Sequence, residues 1–215
     1  MTLLTNIWTF ISLKILAPIN WDGLKAMCNH GKYYDLTDFE LDLIRRTLNT
    51  TNCIGLSRRK THLTTYLIAI ASFITTGKWS YWTHAFMNIE GDSAKDDDYR
   101  LVEATAPGTH YSKFMEVFDC DSACLLIPKN FTLEKWADVC ASVPKYLGTA
   151  YDTLFDYKDA TQLDCIELIR IMLMAEPNYA TDFANFEALI QSKKELTPQM
   201  LFDCPDFQRL VLIKH

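Results

Sequence analysis

The chain has 215 residues, of which 49% are hydrophobic and 22% are charged, a composition typical of a folded globular protein and too apolar for a disordered one. Its length is that of one ordinary domain with appendages. The net charge of −6 shows none of the basic excess that most nucleic-acid-binding proteins carry, so we expect no nucleic-acid partner.

The first fifty residues are predicted to form a helical N-terminal extension. Residues 3–19 are apolar, and we expect a helix that packs on the domain, or one that docks on a hydrophobic partner or a membrane surface. A shorter helix is predicted at 21–31. Thr37 and Glu40 match a capping box, in which each side chain caps the other residue's backbone N–H. They therefore predict a third helix, which ends at a turn over 49–52.

The remainder, residues 51–215, is predicted as one domain with strands in its middle and helices at both ends, which is an α+β fold. Short apolar runs separated by turns indicate antiparallel strands. These strands are predicted at 53–57, 81–89, 99–106, 109–118, 122–127 and 207–214. Helices are predicted at 61–76, 132–143, 182–192 and from residues 164 and 197 onward.

Two charged segments interrupt this pattern. Arg58, Arg59 and Lys60 form a basic cluster after the first strand, and we expect solvated charge at the start of a helix. The alternative is that the cluster holds an anionic substrate. The acidic stretch at 91–98 is expected to be a solvated hairpin loop.

The seven cysteines are the first indication of chemistry. We find no basic segment with a small-residue cleavage site near Met1, so the sequence predicts no signal peptide and therefore reduced thiols. Cys120, Cys124 and Cys140 lie close in sequence, but no second pair of Cys or His residues completes four ligands. We therefore expect no metal and no other cofactor, and most of the cysteines should be small buried apolar residues.

Cys165 differs from the other cysteines because it lies where a loop becomes a helix. The unpaired N–H groups of a helix start favour a thiolate and can receive an oxyanion. His84, in an apolar strand, is the candidate base, because an unpaired imidazole there would be costly. Glu103 is a lone acid in another apolar strand and could orient the imidazole, with His110 as the alternative for that position. Each of these residues could also be an ordinary packing or solvent-facing residue.

The order of these segments resembles the circularly permuted papain-like enzymes of the NlpC superfamily, the YiiX/YaeF-like group. In that group the histidine strand precedes the cysteine helix, which is the reverse of the order in papain. The resemblance covers roughly residues 53–169 and implies a permuted papain-like fold, with a central, small barrel-like antiparallel sheet packed by helices. The residues that carry it are Trp79-Ser80, Thr83-His84-Ala85, Glu103-Ala104, Tyr151-Asp152 and Asp164-Cys165-Ile166-Glu167-Leu168-Ile169.

The resemblance also implies the roles of the site residues. Cys165 would be the nucleophile, His84 the general base and then the acid, and Glu103 the group that orients His84. Tyr151 and Asp164 would support the oxyanion or position the substrate. The family usually has a small residue directly after the cysteine, where this chain has Ile166.

The activity implied by the resemblance is that of a thiol hydrolase that cleaves an amide bond, with cell-wall peptide as the expected substrate. The alternatives are a lipid acyl hydrolase or acyltransferase of the same fold, and a non-catalytic structural or virion protein that retains the fold. Because no signal peptide is predicted, we expect the protein in the cytoplasm, or delivered by lysis, by a secretion system or in a virion.

Overall fold

The computed structural model describes residues 36–59, 69, 73, 79–89, 101–152, 161–192 and 197–215. The predicted helices at 3–19 and 21–31 and the predicted acidic loop at 91–98 lie outside the described residues. Of the predicted helix at 61–76, only Ala69 and Phe73 are described, and both are helical. Among the described residues, no helix combines the length and the apolarity needed to cross a membrane.

The described elements alternate between helices and strands as an α+β fold requires. The α-helices are α1 (Asp38–Thr50), α2 (Phe114–Phe118), α3 (Leu133–Ser142), α4 (Cys165–Leu173), α5 (Ala184–Ser192) and α6 (Pro198–Asp203). The strands are β1 (Cys53–Arg58), β2 (His84–Asn88), β3 (Leu101–Thr105), β4 (Gly108–Ser112), β5 (Ser122–Pro128), β6 (Ala150–Tyr151), β7 (Gln162–Leu163) and β8 (Phe207–Lys214). Two 3₁₀ segments, Val143–Lys145 and Pro177–Phe183, follow α3 and precede α5.

Six of the strands form one antiparallel sheet in the order β4-β3-β2-β1-β5-β8, and β6 and β7 form a separate parallel pair. Side chains alternate between the two faces of the sheet. One face, with Leu56 and Met87, packs against α3, α4 and α6. The opposite face, with Phe86 and Leu101, packs against α1 and α2. The sheet is therefore covered by helices on both faces, and two apolar clusters stabilise it.

One predicted strand is wrong in its second half. We expected a strand over 109–118, but the strand ends at Ser112 and α2 follows. Glu116 accepts a hydrogen bond from the backbone N–H of Lys113 at 2.8 Å, as in a helix start. The apolar residues of 114–118 are buried at helical spacing, at Phe114, Val117 and Phe118. A run of five residues is too short for periodicity alone to separate a helix from a strand.

Gly55 allows the central strands to pack closely. It is the cross-strand partner of Phe86, and the ring carbons of Phe86 occupy the space that a Cβ atom on Gly55 would need. Phe86 is fully buried. An aromatic ring that covers a strand glycine in this way stabilises the pairing of the two strands.

Asn88 joins α1 to the sheet. Its side-chain amide is fully buried and donates hydrogen bonds to the backbone oxygens of Leu48 at 2.8 Å and Thr51 at 3.0 Å. Carbonyl groups at the end of a helix have no partner within the helix. Asn88 therefore satisfies the C-terminal end of α1 and fixes it against β2.

Candidate active site

Cys165 is the first residue of α4, as the sequence predicts, and Asp164 is its N-cap. One carboxylate oxygen of Asp164 accepts the backbone N–H groups of Ile166 at 2.7 Å and Glu167 at 2.8 Å. Glu167 in turn accepts the backbone N–H of Asp164 at 2.9 Å. Asp164 and Glu167 thus form a buried capping box, and two N–H groups expected to be free for an oxyanion are already paired.

The start of α4 lies where two central strands separate. β2 and β3 pair only at Met87–Val102 and Asn88–Leu101, although both strands continue beyond these pairs, and α4 contacts both of them. The backbone of Ala85 lies close enough to the Cys165 thiol to lower its pKa. Ala85 directly follows His84, so the structure brings the nucleophile candidate to the strand of the base candidate.

The resting state of Cys165 is a thiol. Burial raises its pKa, and the nearby charges of Asp164 and Glu103 raise it further, whereas the backbone hydrogen bonds lower it only in part. The side chain is 7% exposed. Desolvation in an acidic environment therefore outweighs the positive end of α4, which alone would favour a thiolate.

His84 and Glu103 form the direct contact that the sequence predicts. Nε2 of His84 lies 2.5 Å from a carboxylate oxygen of Glu103, and the other oxygen accepts the hydroxyl of Ser112. Glu103 is 7% exposed. Burial alone would raise its pKa, but the contacts with His84 and Ser112 and the charge of His110 hold the pKa at about 2. Glu103 is therefore an ionised acid that orients the ring of His84 and leaves Nδ1 as the nitrogen available to a nucleophile.

His110, the alternative third residue, lies on the other side of the same carboxylate. Its Nε2 is 3.6 Å from Glu103, beyond hydrogen-bond distance. Its Nδ1 is 2.8 Å from the backbone oxygen of Gly108 and is therefore the donor in that contact. His110 therefore acts on Glu103 through its charge and not through a hydrogen bond. The structure joins Glu103, rather than His110, to His84.

Tyr151 lies near the nucleophile candidate, at the end of β6. Burial raises the pKa of its phenol, and the neighbouring Cys165, Asp164 and Asp152 raise it further. Its hydroxyl therefore stays protonated and can act as a donor. Asp164 shares the acidic environment, because burial raises its pKa to about 7 and the charge of Glu167 adds to this effect, whereas backbone hydrogen bonds oppose it. A carboxylate that caps a helix is an acceptor, so Asp164 positions α4 and has no proton to offer an oxyanion while it is ionised.

Ser112 is the site residue that the sequence analysis missed. It pairs with Leu101 across β3 and β4, and the next pair on the same face is Glu103–His110. The alternation of strand residues was a usable signal, since Ser112 and His110 both lie on the face of Glu103. The prediction of one strand over 109–118, whose second half is helical in the structure, obscured this signal.

The comparisons with known proteins concern the fold. No protein-family model matches the chain, and no curated protein matches it. The crystal structure of metalloprotein YiiX from Escherichia coli O157:H7 is similar, with a TM-score of 0.53 and 15% sequence identity, over 77% of this chain and 98% of YiiX. This similarity and the described elements confirm the α+β class, and they are consistent with the predicted YiiX-like family. At this identity the likeness extends to the fold alone.

YiiX is named a metalloprotein, which raises the question whether side chains of this chain could hold a metal ion. Among the residues that the structure describes, no group of three or more His, Cys, Asp or Glu side chains is arranged to hold a metal ion. The carboxylate of Glu103 is occupied by His84 and Ser112, and that of Asp164 by the backbone of α4. These residues do not fit a metal, and the chemistry available to the site is that of its side chains.

Proposed function

We propose that the protein is a cysteine hydrolase of the permuted papain-like type that cleaves an amide bond through Cys165, His84 and Glu103. The observation that supports this most is the buried Glu103 carboxylate, which holds His84 at 2.5 Å. The residue after His84, Ala85, lowers the pKa of the Cys165 thiol through its backbone, so the thiol lies near this strand. A nucleophile, a base and a group that orients the base are the minimum set for acyl transfer.

The first step transfers a proton and forms a covalent bond. Because the Cys165 thiol is neutral at rest, Nδ1 of His84 takes its proton as the sulfur attacks the amide carbonyl carbon. Glu103 stabilises the imidazolium that results, since its carboxylate stays ionised at neutral pH. The oxygen of the carbonyl becomes an oxyanion, for which the backbone N–H of Cys165 and the hydroxyl of Tyr151 are the available donors.

The second step completes the hydrolysis. The tetrahedral intermediate collapses, the C–N bond breaks, and His84 gives its proton to the leaving amine. The acyl group is then a thioester on Cys165. His84, again neutral, takes a proton from water, the hydroxide adds to the thioester, and the carboxylic acid leaves while the sulfur regains a proton. Nothing is oxidised or reduced, so no further co-reactant is needed.

Cell-wall peptide is the substrate class we propose, in line with the enzymes that the sequence resembles. A lipid acyl ester or thioester is the second class that the same chemistry would process. The burial of Cys165 favours a different candidate, a non-catalytic structural or virion protein that retains the fold, because a thiol that is 7% exposed is poorly accessible to a large substrate.

The test uses the full chain and two substrates. Purified peptidoglycan is incubated with the protein and new amino groups are counted, and phospholipid vesicles are assayed for released fatty acid. We expect new amino groups and no fatty acid. Cys165→Ser and His84→Gln should each lower the rate by about 10²-fold or more, whereas the matched variants Cys204→Ser and His110→Gln should retain most of it.

Trapping the acyl group as a thioester on the protein distinguishes weak catalysis from no catalysis. p-Nitrophenyl acetate is added to the protein, and the acylated residue is identified by mass spectrometry. Acyl transfer predicts rapid modification of Cys165 that depends on His84. Equal and slow acylation of Cys165 and Cys140, unchanged by His84→Gln, would show that the fold is retained without catalysis.

A further inference from the structure

A second polar cluster lies away from the His84–Glu103 pair. Arg58 on β1 and Lys214 on β8 both pair with Ser122 of β5, one on each side, so the two cations lie in one row across one face of the sheet. The guanidinium of Arg58 lies 4.3 Å from the ring centre of Tyr81, and Nζ of Lys214 lies 4.6 Å from the same ring. The hydroxyl of Tyr81 is 2.8 Å from Oγ of Ser122, which anchors the ring between strands.

A third cation lies further along β8, where Arg209 pairs with Leu126. Arg209 of β8 lies over the ring of Phe202, 4.0 Å from its centre, and Lys214 lies 4.8 Å from the same centre. Burial raises the pKa of the Cys124 thiol to about 12, and the positive charges of Arg209 and Lys214 both oppose this increase. Arg58, Lys214 and Arg209 therefore form one group, here named the cation cluster, held on aromatic rings.

Arg209 of the cation cluster donates a hydrogen bond to the backbone oxygen of Phe202 at 3.3 Å, but the cluster lacks an acidic partner in the described part of the chain. Among the described residues, no Asp or Glu side chain lies within ion-pair distance of its three cations. Asp121, which precedes Ser122, accepts the hydroxyl of Ser122 at 3.3 Å. Nε of Arg58 and the indole N–H of Trp82, which also borders Lys214 at 5.7 Å, are buried without a hydrogen-bond partner in the described structure. A buried donor without a partner is costly, so this arrangement calls for an acceptor.

Contacts with the aromatic rings explain where the cations lie. They do not provide hydrogen-bond acceptors for the N–H groups. Stacking uses the flat face of a guanidinium and leaves its N–H groups, which lie in its plane, available to a ligand. The positive charges of Arg58 on β1 and of Lys214 and Arg209 on β8, one strand apart, also repel one another, in a chain whose net charge is −6. An anion would relieve the repulsion and accept the donors together.

We propose that the cation cluster of Arg58, Arg209 and Lys214 is a binding site for a phosphate group. A phosphate monoester carries a charge of about −1.5 to −2 and three strong acceptor oxygens, which matches three cationic donors better than the single charge of a carboxylate. This site does not depend on catalysis by Cys165. The phosphate belongs to a free soluble compound or to a lipid headgroup, and the two sources are separated below.

The experiment measures binding of inorganic phosphate to the full chain by calorimetry at constant ionic strength. The double variant Arg209→Gln/Lys214→Gln removes two exposed cations of the cluster, and Arg46→Gln/Lys145→Gln removes two exposed cations elsewhere as the matched control. We expect saturable binding that the first variant weakens by about tenfold or more, because each charge-assisted hydrogen bond is worth at least that factor. The control should stay within about twofold of the unmodified protein.

Sedimentation with vesicles that contain phosphatidic acid, whose headgroup is a phosphate monoester, forms the second arm. Binding of vesicles but not of free phosphate, lost in the cluster variant alone, assigns the site to a lipid headgroup, and the reverse assigns it to a soluble phosphate. Phosphate should also raise the midpoint of thermal unfolding of the unmodified protein and not that of the cluster variant. Absence of binding in both arms, or an equal loss in the control variant, overturns the proposal.

Discussion

Glu103→Gln tests whether the buried carboxylate is ionised by its contacts. The pKa of Glu103 lies at about 2 instead of its ordinary value of 4.5, because its contacts with His84, Ser112 and His110 outweigh burial. The difference, at about 1.4 kcal/mol for each pKa unit, amounts to about 3 kcal/mol of unfolding free energy. A lowered pKa in the folded state means that this contribution is complete above pH 4.5 and is lost as the pH falls toward 2.

The measurement is urea unfolding, followed by circular dichroism, of the unmodified protein and of Glu103→Gln at pH 7, 4 and 3. Linkage predicts that the difference in unfolding free energy between the two proteins, here called the gap, is smaller than at pH 7 by about 1 kcal/mol at pH 4 and by about 2 kcal/mol at pH 3. Glu134→Gln, an exposed carboxylate on α3, should show a gap that is small at every pH. A gap for Glu103→Gln that is the same at pH 7 and pH 3 would refute the reasoning.

Three further predictions concern the packing and the charge around the site. Gly55→Ala should destabilise the protein by about 2 kcal/mol or more, because the ring of Phe86 fills the space of the new methyl group; a cost below about 0.5 kcal/mol in urea unfolding would contradict this. Asn88→Ala should cost about 2 kcal/mol through two lost hydrogen bonds, and Asn88→Asp should cost more, since a carboxylate would face two carbonyl oxygens. Asp164→Asn keeps the helix cap but removes a charge whose folded pKa is raised from 3.8 to about 7; the unmodified protein should therefore lose stability relative to this variant as the pH rises from about 4 to 7, and Cys165 should react faster with iodoacetamide in the variant at pH 7.

Local signals in the sequence were sufficient for the elements that carry the site. Thr37 and Glu40 predict a capping box, and the structure has both hydrogen bonds, at 3.3 Å and 2.8 Å. The start of α4 at Cys165 is predicted by the polar-to-apolar change at Asp164. His84 and Glu103 are each visible as a polar residue in an apolar strand, and adjacent antiparallel strands were enough to bring them together.

Features that depend on distant residues were beyond the sequence. The separation of β2 and β3 beyond Met87 reflects how α4 packs against both strands, which no local pattern encodes. The sequence pattern predicts Asp164 as an oxyanion or substrate contact, whereas the structure shows it as the cap that occupies the N–H groups of α4. The cation cluster combines Arg58 with residues about 150 positions later in the chain, so only the fold shows it as a unit.

The electrostatics around Cys165 bear on how such a site would work. A helix start supplies about half a positive charge, but burial and the acids Asp164 and Glu103 hold the sulfur as a thiol. A resting thiolate–imidazolium pair is therefore not the ground state of this site, and the proton of Cys165 must move to His84 during the attack. The free energy of this proton transfer would fall if a bound substrate screened the negative charges around the sulfur. Protonation of Asp164 near pH 7 would have the same effect. The reactivity of Cys165 should accordingly depend on Asp164 as well as on His84, because one residue sets the charge that the sulfur meets and the other accepts its proton.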